Sequence, residues 1–337
     1  MAEPIQRATI HDVARVAGVS VSTVSKVVNR RYGVAAATAH RVQEVIDDLR
    51  FESSLVARSL RSHRTNVIGI LVSEFEPFST EILKGVSQAI GGTGYELLAY
   101  SGGGRTGTAV GWERSHLARL SGTLIDGAIL VTPTVVDSDG AVPVVAIDPT
   151  TGPSGMPTVD SDNFTGAILA TEHLLALGHR RIGFLGGRPD LESSRLREEG
   201  YRTALVDAGL TVEPELMRVG GYRRESAHEP ARELILLSQR PTAIFAANDL
   251  SAMETMEVAG ELGLAIPDDL SVVGFDNVPE SALTIPPLTT IGQQIQRMGS
   301  EALELLIHLM DGTDERGTHV RLPTHLIERS STRPPPS

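Results

Sequence analysis

Ala8-Thr9-Ile10-His11-Asp12-Val13-Ala14-Arg15-Val16-Ala17-Gly18-Val19-Ser20-Val21-Ser22-Thr23-Val24-Ser25-Lys26-Val27-Val28-Asn29 decides how the first part of this 337-residue chain folds. Thr9 followed by Asp12 has the form of a capping box, in which a hydroxyl closes onto the first helical turn and the acid reaches back. Ile10, Val13, Ala14 and Ala17 then follow the i, i+3, i+4, i+7 spacing of an amphipathic helix. Gly18 ends it, because glycine takes the positive φ needed after a last turn. Ser20 is a good cap for a second helix with Val24, Val27 and Val28 on its buried side, closed by Asn29. Two short helices joined at a glycine predict a helix-turn-helix. A third helix, near residues 38–50, supplies Val42, Val45, Ile46 and Leu49 to cover the pair.

The second helix keeps Val21, Ser22, Ser25 and Lys26 on its polar side. A helix fits the major groove of DNA, and small side chains at its start permit close approach. Val21 can meet a thymine methyl, Ser22 can bond either base type, and Lys26 can reach guanine or phosphate. The plainer alternative is a helical hairpin with a solvated face that touches another protein. The distribution of charge fits the DNA reading without excluding ordinary compositional variation. The net charge is −12, yet residues 1–65 hold ten basic and six acidic side chains, a balance of +4, which leaves −16 for the other 272 residues. A cationic head on an anionic body suits a protein whose head alone meets phosphate.

Beyond the head, Asn66-Val67-Ile68-Gly69-Ile70-Leu71-Val72 opens a different rhythm. Apolar runs at 95–99, 128–131, 142–147, 181–185, 243–246 and 271–275 alternate with helical patterns at 79–90, 165–177, 196–208, 225–237 and 250–262. Continuous apolar strands between helices predict parallel sheets covered on both faces. A break at 148–162 divides the pattern into two lobes. The proline-rich end, 331–337, reads as a disordered tail. The chain has no cysteine, which removes disulfides and thiolate chemistry and fits a reducing compartment. No apolar run approaches the length of a membrane span. The opening residues lack the order of a signal peptide, so a cytoplasmic protein is expected.

Open parallel sheets hold ligands beyond the carboxyl ends of their strands. The polar residues there are Asp148, Asn248, Asp249 and Asp276, with Arg195 and Arg197 opening the helix after Phe184-Leu185-Gly186-Gly187. Carboxylates, an amide and a guanidinium around one cleft can bond a polyol's hydroxyls in pairs. Taken singly, each can equally be a helix cap. An enzyme is not expected: neither phosphate-loop glycine pattern occurs, no nucleophile elbow is present, and the histidines lack metal-binding spacing. His179 reads as a packing residue.

The quoted head, with its continuation through Val34, Thr38, Arg41, Val42 and Phe51, closely resembles the DNA-binding headpiece of the lactose repressor/galactose repressor family. The resemblance extends over residues 66–330 through Gly178-His179-Arg180-Arg181-Ile182, Arg195-Leu196-Arg197, Ala247-Asn248-Asp249, Asp269 to Asp276, and Pro286-Pro287-Leu288-Thr289-Thr290-Ile291. It implies an all-α helix-turn-helix head on an α/β core resembling periplasmic binding proteins, with two doubly wound parallel-sheet lobes. The implied parts are a DNA-binding domain at 1–52, a hinge helix or linker at 53–65, and an effector-binding and dimerisation core at 66–330.

By that resemblance Val21, Ser22 and Lys26 read bases, while Thr9, Ser20, Thr23, Ser25 and Asn29 contact phosphates. In the hinge, Ala57 and Leu60 meet the minor groove, Leu60 as an apolar wedge. Effector contacts fall on Phe78, Asp148, Arg197, Tyr222, Asn248, Asp276 and Gln293. Ala35 departs from the family, which usually has a capping serine there, and so do Ser161, near a common aromatic, and Gly292, at a frequently basic position. The implied function is a repressor of carbohydrate-utilisation genes. Its partners are pseudopalindromic operator DNA, a sugar-like effector and a second copy of itself, with no cofactor, metal or membrane. The alternatives are a regulator of this family answering to a purine or a partner protein, and a sugar-binding protein without DNA function.

Overall fold

A computed structural model describes residues 8–28, 32–49, 51, 64–102, 110–135, 142–152, 155–313, 315 and 317–336. The chain divides into two compact units, a head within 1–65 and a core that begins at residue 66.

The head is built from α1 (Ile10–Ala17), α2 (Val21–Val28) and α3 (Ala36–Asp48). Each helix contributes one fully buried valine, Val13, Val24 and Val42, and these meet in a single cluster. Eight-residue helices are too short to persist alone, so this shared apolar centre is what orders them. Both arms of the capping box at Thr9 and Asp12 are present, and Gly18 ends α1 at φ 69°. Ala35 leaves α3 without a side-chain cap.

The core holds two six-stranded sheets. The first comprises β1 (Val67–Val72), β2 (Glu96–Ser101), β3 (Gly127–Val131), β4 (Val144–Ile147), β5 (Thr158–Ser161) and β11 (His319–Leu322), in the order β11-β5-β4-β3-β1-β2 with every pair parallel. The second comprises β6 (Ile182–Gly186), β7 (Met217–Val219), β8 (Ala243–Ala246), β9 (Ser271–Asp276), β10 (Thr289–Gly292) and β12 (His325–Ile327), in the order β12-β10-β9-β8-β6-β7. Helices α4 (Pro77–Ala89), α5 (Trp112–Leu120) and α10 (Ile295–Met310) belong to the first lobe. Helices α6 (Asn163–Ala176), α7 (Glu192–Asp207), α8 (Arg224–Ile235) and α9 (Asp249–Glu261) belong to the second. Every residue of β1, β3, β4, β6, β8 and β9 is buried, as strands covered on both faces require.

One pair departs from the parallel expectation: β12 runs antiparallel to β10, with His325 opposite Gly292. The chain leaves the second lobe just after Gly292 and re-enters it just before His325. Both passages lie at one end of the sheet, so the returning strand must run backwards.

Three segments join the lobes, at Asp162, at Gln293-Gln294 and at Pro323-Thr324. They are tied to one another: Asp162 N donates to Leu322 O (2.9 Å), Gln294 Nε2 to Pro323 O (3.1 Å) and Thr324 Oγ1 to Asp162 O (3.1 Å). These bonds link the three crossings side by side. In the first lobe α4 and α10 meet at two glycines. A Cβ on Gly85 would fall 1.8 Å from Gln296 O, and one on Gly299 2.4 Å from Ile82 O.

The expected disordered tail is corrected over 331–333. Ser331 is fully buried; its Oγ donates to Val272 O (2.6 Å) and accepts from Thr289 N (2.8 Å). Arg333 N donates to Ser271 Oγ (3.1 Å), and Arg333 O is 2.9 Å from His179 Nε2. The hydroxyls satisfy backbone groups at the starts of β9 and β10, where a sheet needs partners. His179 also meets Thr242 Oγ1 at 2.8 Å, and burial pushes its pKa down, so both ring nitrogens serve packing.

Candidate functional site

On the head, three hydroxyls gather where α2 begins. Ser20 Oγ accepts from Thr23 N (3.2 Å) and shares hydrogen bonds with Ser22 Oγ (2.7 Å) and Thr23 Oγ1 (2.9 Å). A helix N-terminus with clustered hydroxyls offers donors to a phosphate oxygen. Ser22 and Lys26 are exposed, while Val21, Thr23 and Ser25 are half-buried. Thr9 caps α1, and its Oγ1 donates to Asp12 Oδ2 (2.7 Å). A hydrogen bond from Arg15, with a further one from Thr9, holds the Asp12 carboxyl far below its ordinary range. Asn29, Ala57 and Leu60 lie outside the described residues.

In the core, a cleft of about 940 Å3, its open mouth included, lies between the lobes at the carboxyl ends of the strands. The expected residues Phe78, Asp148, Arg197, Tyr222, Asn248 and Asp276 line it; Gln293 does not, but its Nε2 donates to Asp276 Oδ1 from behind (2.6 Å).

Arg197 is the centre of the site and is only 4% exposed. Its Nε donates to Asn163 Oδ1 (2.9 Å), and Nη1 donates to Ala247 O and lies 3.5 Å from Asp276 Oδ1. The guanidinium stacks on Phe275, 3.8 Å from the ring centroid, with Tyr222 at 5.6 Å. These contacts fix the plane of the fork, and Nη2 has no partner among the described residues. Asn163 itself donates to Ser161 O (3.1 Å), so it positions the arginine.

Burial pushes Asp276 up to about 6 against the lowering effect of Arg197, and raises Asp148 in the same way. Beneath them Asp249 is fully buried. It accepts from Val278 N (2.9 Å) and from Thr290 Oγ1, and burial together with the Asp276 charge holds its pKa well above the usual range. Asp249 therefore props the Asp276 loop from below. Asn248 is also committed within the protein: Oδ1 accepts from Ser251 N (3.0 Å) as the cap of α9, and Nδ2 donates to Tyr222 O (3.0 Å). Its side chain thereby fixes the Tyr222 backbone at the cleft wall.

Sequence reasoning missed Glu76, Thr132, Arg188, Ser193 and Arg223, which also line the cleft. Glu76 and Thr132 follow β1 and β3, so applying the strand-end rule evenly to the first lobe would have found them. Backbone strain concentrates here too. Of six non-glycine residues with positive φ among the described residues, Thr132, Asp148, Tyr222 and Asp276 line the cleft, and Asn277 follows the last. Residues in such conformations persist only where the surroundings over-determine them, and they gather at ligand sites. Among the described residues no three candidate ligands group around a metal position, and no helix is long and apolar enough to cross a membrane.

The description "Bacterial regulatory proteins, lacI family" matches residues 9–54, and "Periplasmic binding protein-like domain" matches 171–332. The HTH-type transcriptional repressor PurR of Photobacterium profundum is 36% identical over 335 residues, covering 96% of this chain and 98% of that protein. Its namesake from Aliivibrio fischeri is 33% identical over 96% and 98%. Among solved structures, the transcriptional regulator CelR–cellobiose complex is 30% identical with a TM-score of 0.70, covering 96% of this chain and 100% of that one. The lac repressor dimer bound to operator and the anti-inducer ONPF is 28% identical with a TM-score of 0.84, covering 97% and 100%.

Proposed function

The chain belongs to the lacI family of bacterial regulatory proteins and is a DNA-binding transcriptional repressor, and from that premise we propose that a small sugar in the cleft releases it from operator DNA. The observation that carries the effector class is the lining itself: carboxylates from both lobes, Asp148 and Asp276, flank a fixed guanidinium, Arg197, that stacks on one aromatic ring and lies near another. Vicinal hydroxyls each donate and accept, so such a set can take them in bidentate pairs. The cellobiose-bound relative supports the same class.

In this reading Ser22, Val21 and Lys26 meet base edges, and Thr9, Ser20, Thr23, Ser25 and Asn29 hold phosphates. Two copies pair in the cytoplasm and read the halves of a pseudopalindrome, with Ala57 and Leu60 at the minor groove between them. Phe78, Asp148, Arg197, Tyr222 and Asp276 contact the effector, with Asn248 and Gln293 behind them. The residues proposed to grip one ligand come from both lobes, so its binding favours one angle at the three-strand hinge. The energy it can pass to the heads is the difference in its affinity for the two arrangements, about 1–3 kcal/mol.

A purine is the second reading, and the name PurR carried by the curated relatives favours it. Thermal melting of the full chain against mono- and disaccharides and against hypoxanthine and guanine decides between them, because a tight ligand raises the melting temperature by mass action. Stabilisation by a sugar, with loss of affinity for operator DNA, is expected. Stabilisation by the purines alone overturns the sugar reading.

A further inference from the structure

The cleft's charges do not balance. Glu74, Glu76 and Asp148 line it from the first lobe and Asp276 from the second, together with Arg188, Arg197 and Arg223. Two of the arginines are already answered. Arg188 is held by Asp190 at 2.6 Å, and Arg223 reaches across from the second lobe to Glu74 at 2.9 Å. Arg223 is thus shared by Glu74 and Glu76, and Arg197 by Asp148 and Asp276. The nearby Asp160 adds no demand, since Arg321 and His319 hold it at 3.0 and 2.8 Å, and Arg195 holds Glu192 at 2.5 Å. An excess of two carboxylates remains, and Glu76 and Asp276 repel each other from opposite lobes.

A second observation points to the ligand's side of this imbalance. The Tyr222 hydroxyl lies in the field of Asp148 and Asp276, is buried, and makes no hydrogen bond of good geometry, although Ser194 is nearby. Burial pushes Glu76 up to about 7, with the Asp276 charge adding to it. Carboxylates held in this way gain most from a partner that brings both positive charge and N–H donors. An ammonium has three donors, enough for two carboxylates and the orphan phenol oxygen.

We propose that the effector is an amino sugar whose protonated amine sits between Glu76 and Asp276, with its ring hydroxyls taken by Asp148 and Arg197. The proposal rests on the sugar reading above and sharpens it. It also supplies the differential interaction that a switch needs, because one cation turns repulsion between two lobes into attraction to a shared centre.

Titration calorimetry of the full chain tests it, with glucosamine, galactosamine and mannosamine each set against glucose, galactose and mannose. At least one amine should bind about tenfold or more tighter than its parent sugar. Binding should release protons as Glu76 and Asp276 ionise, read from the dependence of the heat on the buffer. Glu76→Gln, whose melting temperature verifies folding, should bring the amine-to-parent ratio toward one. No preference for any amine, or a preference that survives Glu76→Gln, overturns the proposal. If parent sugars bind as well as amines, the sugar reading stands and the amine falls; if only hypoxanthine or guanine binds, both fall.

Discussion

Replacing Arg197 with methionine keeps most of the side-chain volume and removes the one cation shared by the buried acids, so its effect should depend on pH. In the parent Asp276 titrates at about 6, above its ordinary 3.8. A carboxyl raised on folding contributes stability that is complete below its unfolded pKa and lost as pH rises through the folded one. Arg197 is the leading influence holding Asp276 and Asp148 down. Without it both move further up, and each unit adds about 1.4 kcal/mol to the loss at high pH. A smaller part does not depend on pH: the hydrogen bonds to Asn163 and Ala247 and the stacking on Phe275.

Breaking a buried pair by removing one partner costs about 3–5 kcal/mol. For a core of this size that lowers the melting temperature by roughly 6–20 °C. Scanning calorimetry of the full chain at about pH 5 and pH 8 should therefore show a gap between parent and Arg197→Met that widens with pH, as the variant's carboxyls must ionise without a counter-charge. A gap of the same size at both pH values would refute the electrostatic account and leave only lost packing. A gap that narrowed would show that the acids near Arg197 are not the ones titrating.

Lys26→Ala should weaken binding to operator DNA and reduce its salt dependence, read by fluorescence anisotropy, while leaving the melting temperature of the core in place. Ala35→Ser supplies the cap that α3 lacks, at a backbone already extended with φ −64° and ψ 141°, and should stabilise the head by about 1 kcal/mol, seen as a higher melting temperature for that unit. Gly85→Ala places a methyl 1.8 Å from the Gln296 carbonyl and should cost about 1–3 kcal/mol or more of core stability, whereas Gly91→Ala, with its nearest atom at 3.9 Å, serves as the control.

The head was legible because its signals are local. A capping pair, a glycine at positive φ and three valines in helical register lie within 35 residues, and the fold needs nothing else to explain it. The central strands were legible for a related reason: burial on both faces leaves an uninterrupted apolar run. The edge strands β7, β11 and β12 gave no such run because one face stays wet, as in the exposed and half-buried His325-Leu326-Ile327. Ser331 was misread because its value lies in two hydroxyl contacts to strands more than 40 residues away, which composition cannot register. In the cleft, the strand-end rule located Asp148, Asn248 and Asp276 but not their division of labour. Whether an asparagine faces a ligand or spends its amide on a cap and a neighbouring loop depends on where Tyr222 O lies, and that is a tertiary fact.

The same tertiary facts explain why so much cost is concentrated in one place. Thr132, Asp148, Tyr222 and Asp276 hold left-handed backbone, three acids are pushed toward neutrality, and a phenol oxygen goes unpaired, all around one cleft. Each raises the energy of the folded core, and none is needed to form either sheet. The surroundings sustain them by over-determination: Asp249 and Gln293 brace the Asp276 loop, Asn248 braces Tyr222, and Asn163 with Phe275 braces Arg197. A site held rigidly in an unfavourable electrostatic state returns that energy to whatever ligand relieves it, so preorganisation against the protein's own stability becomes affinity. Because the relieved groups belong to both lobes, the returned energy depends on the angle between them, and that dependence is what a ligand-operated repressor must possess.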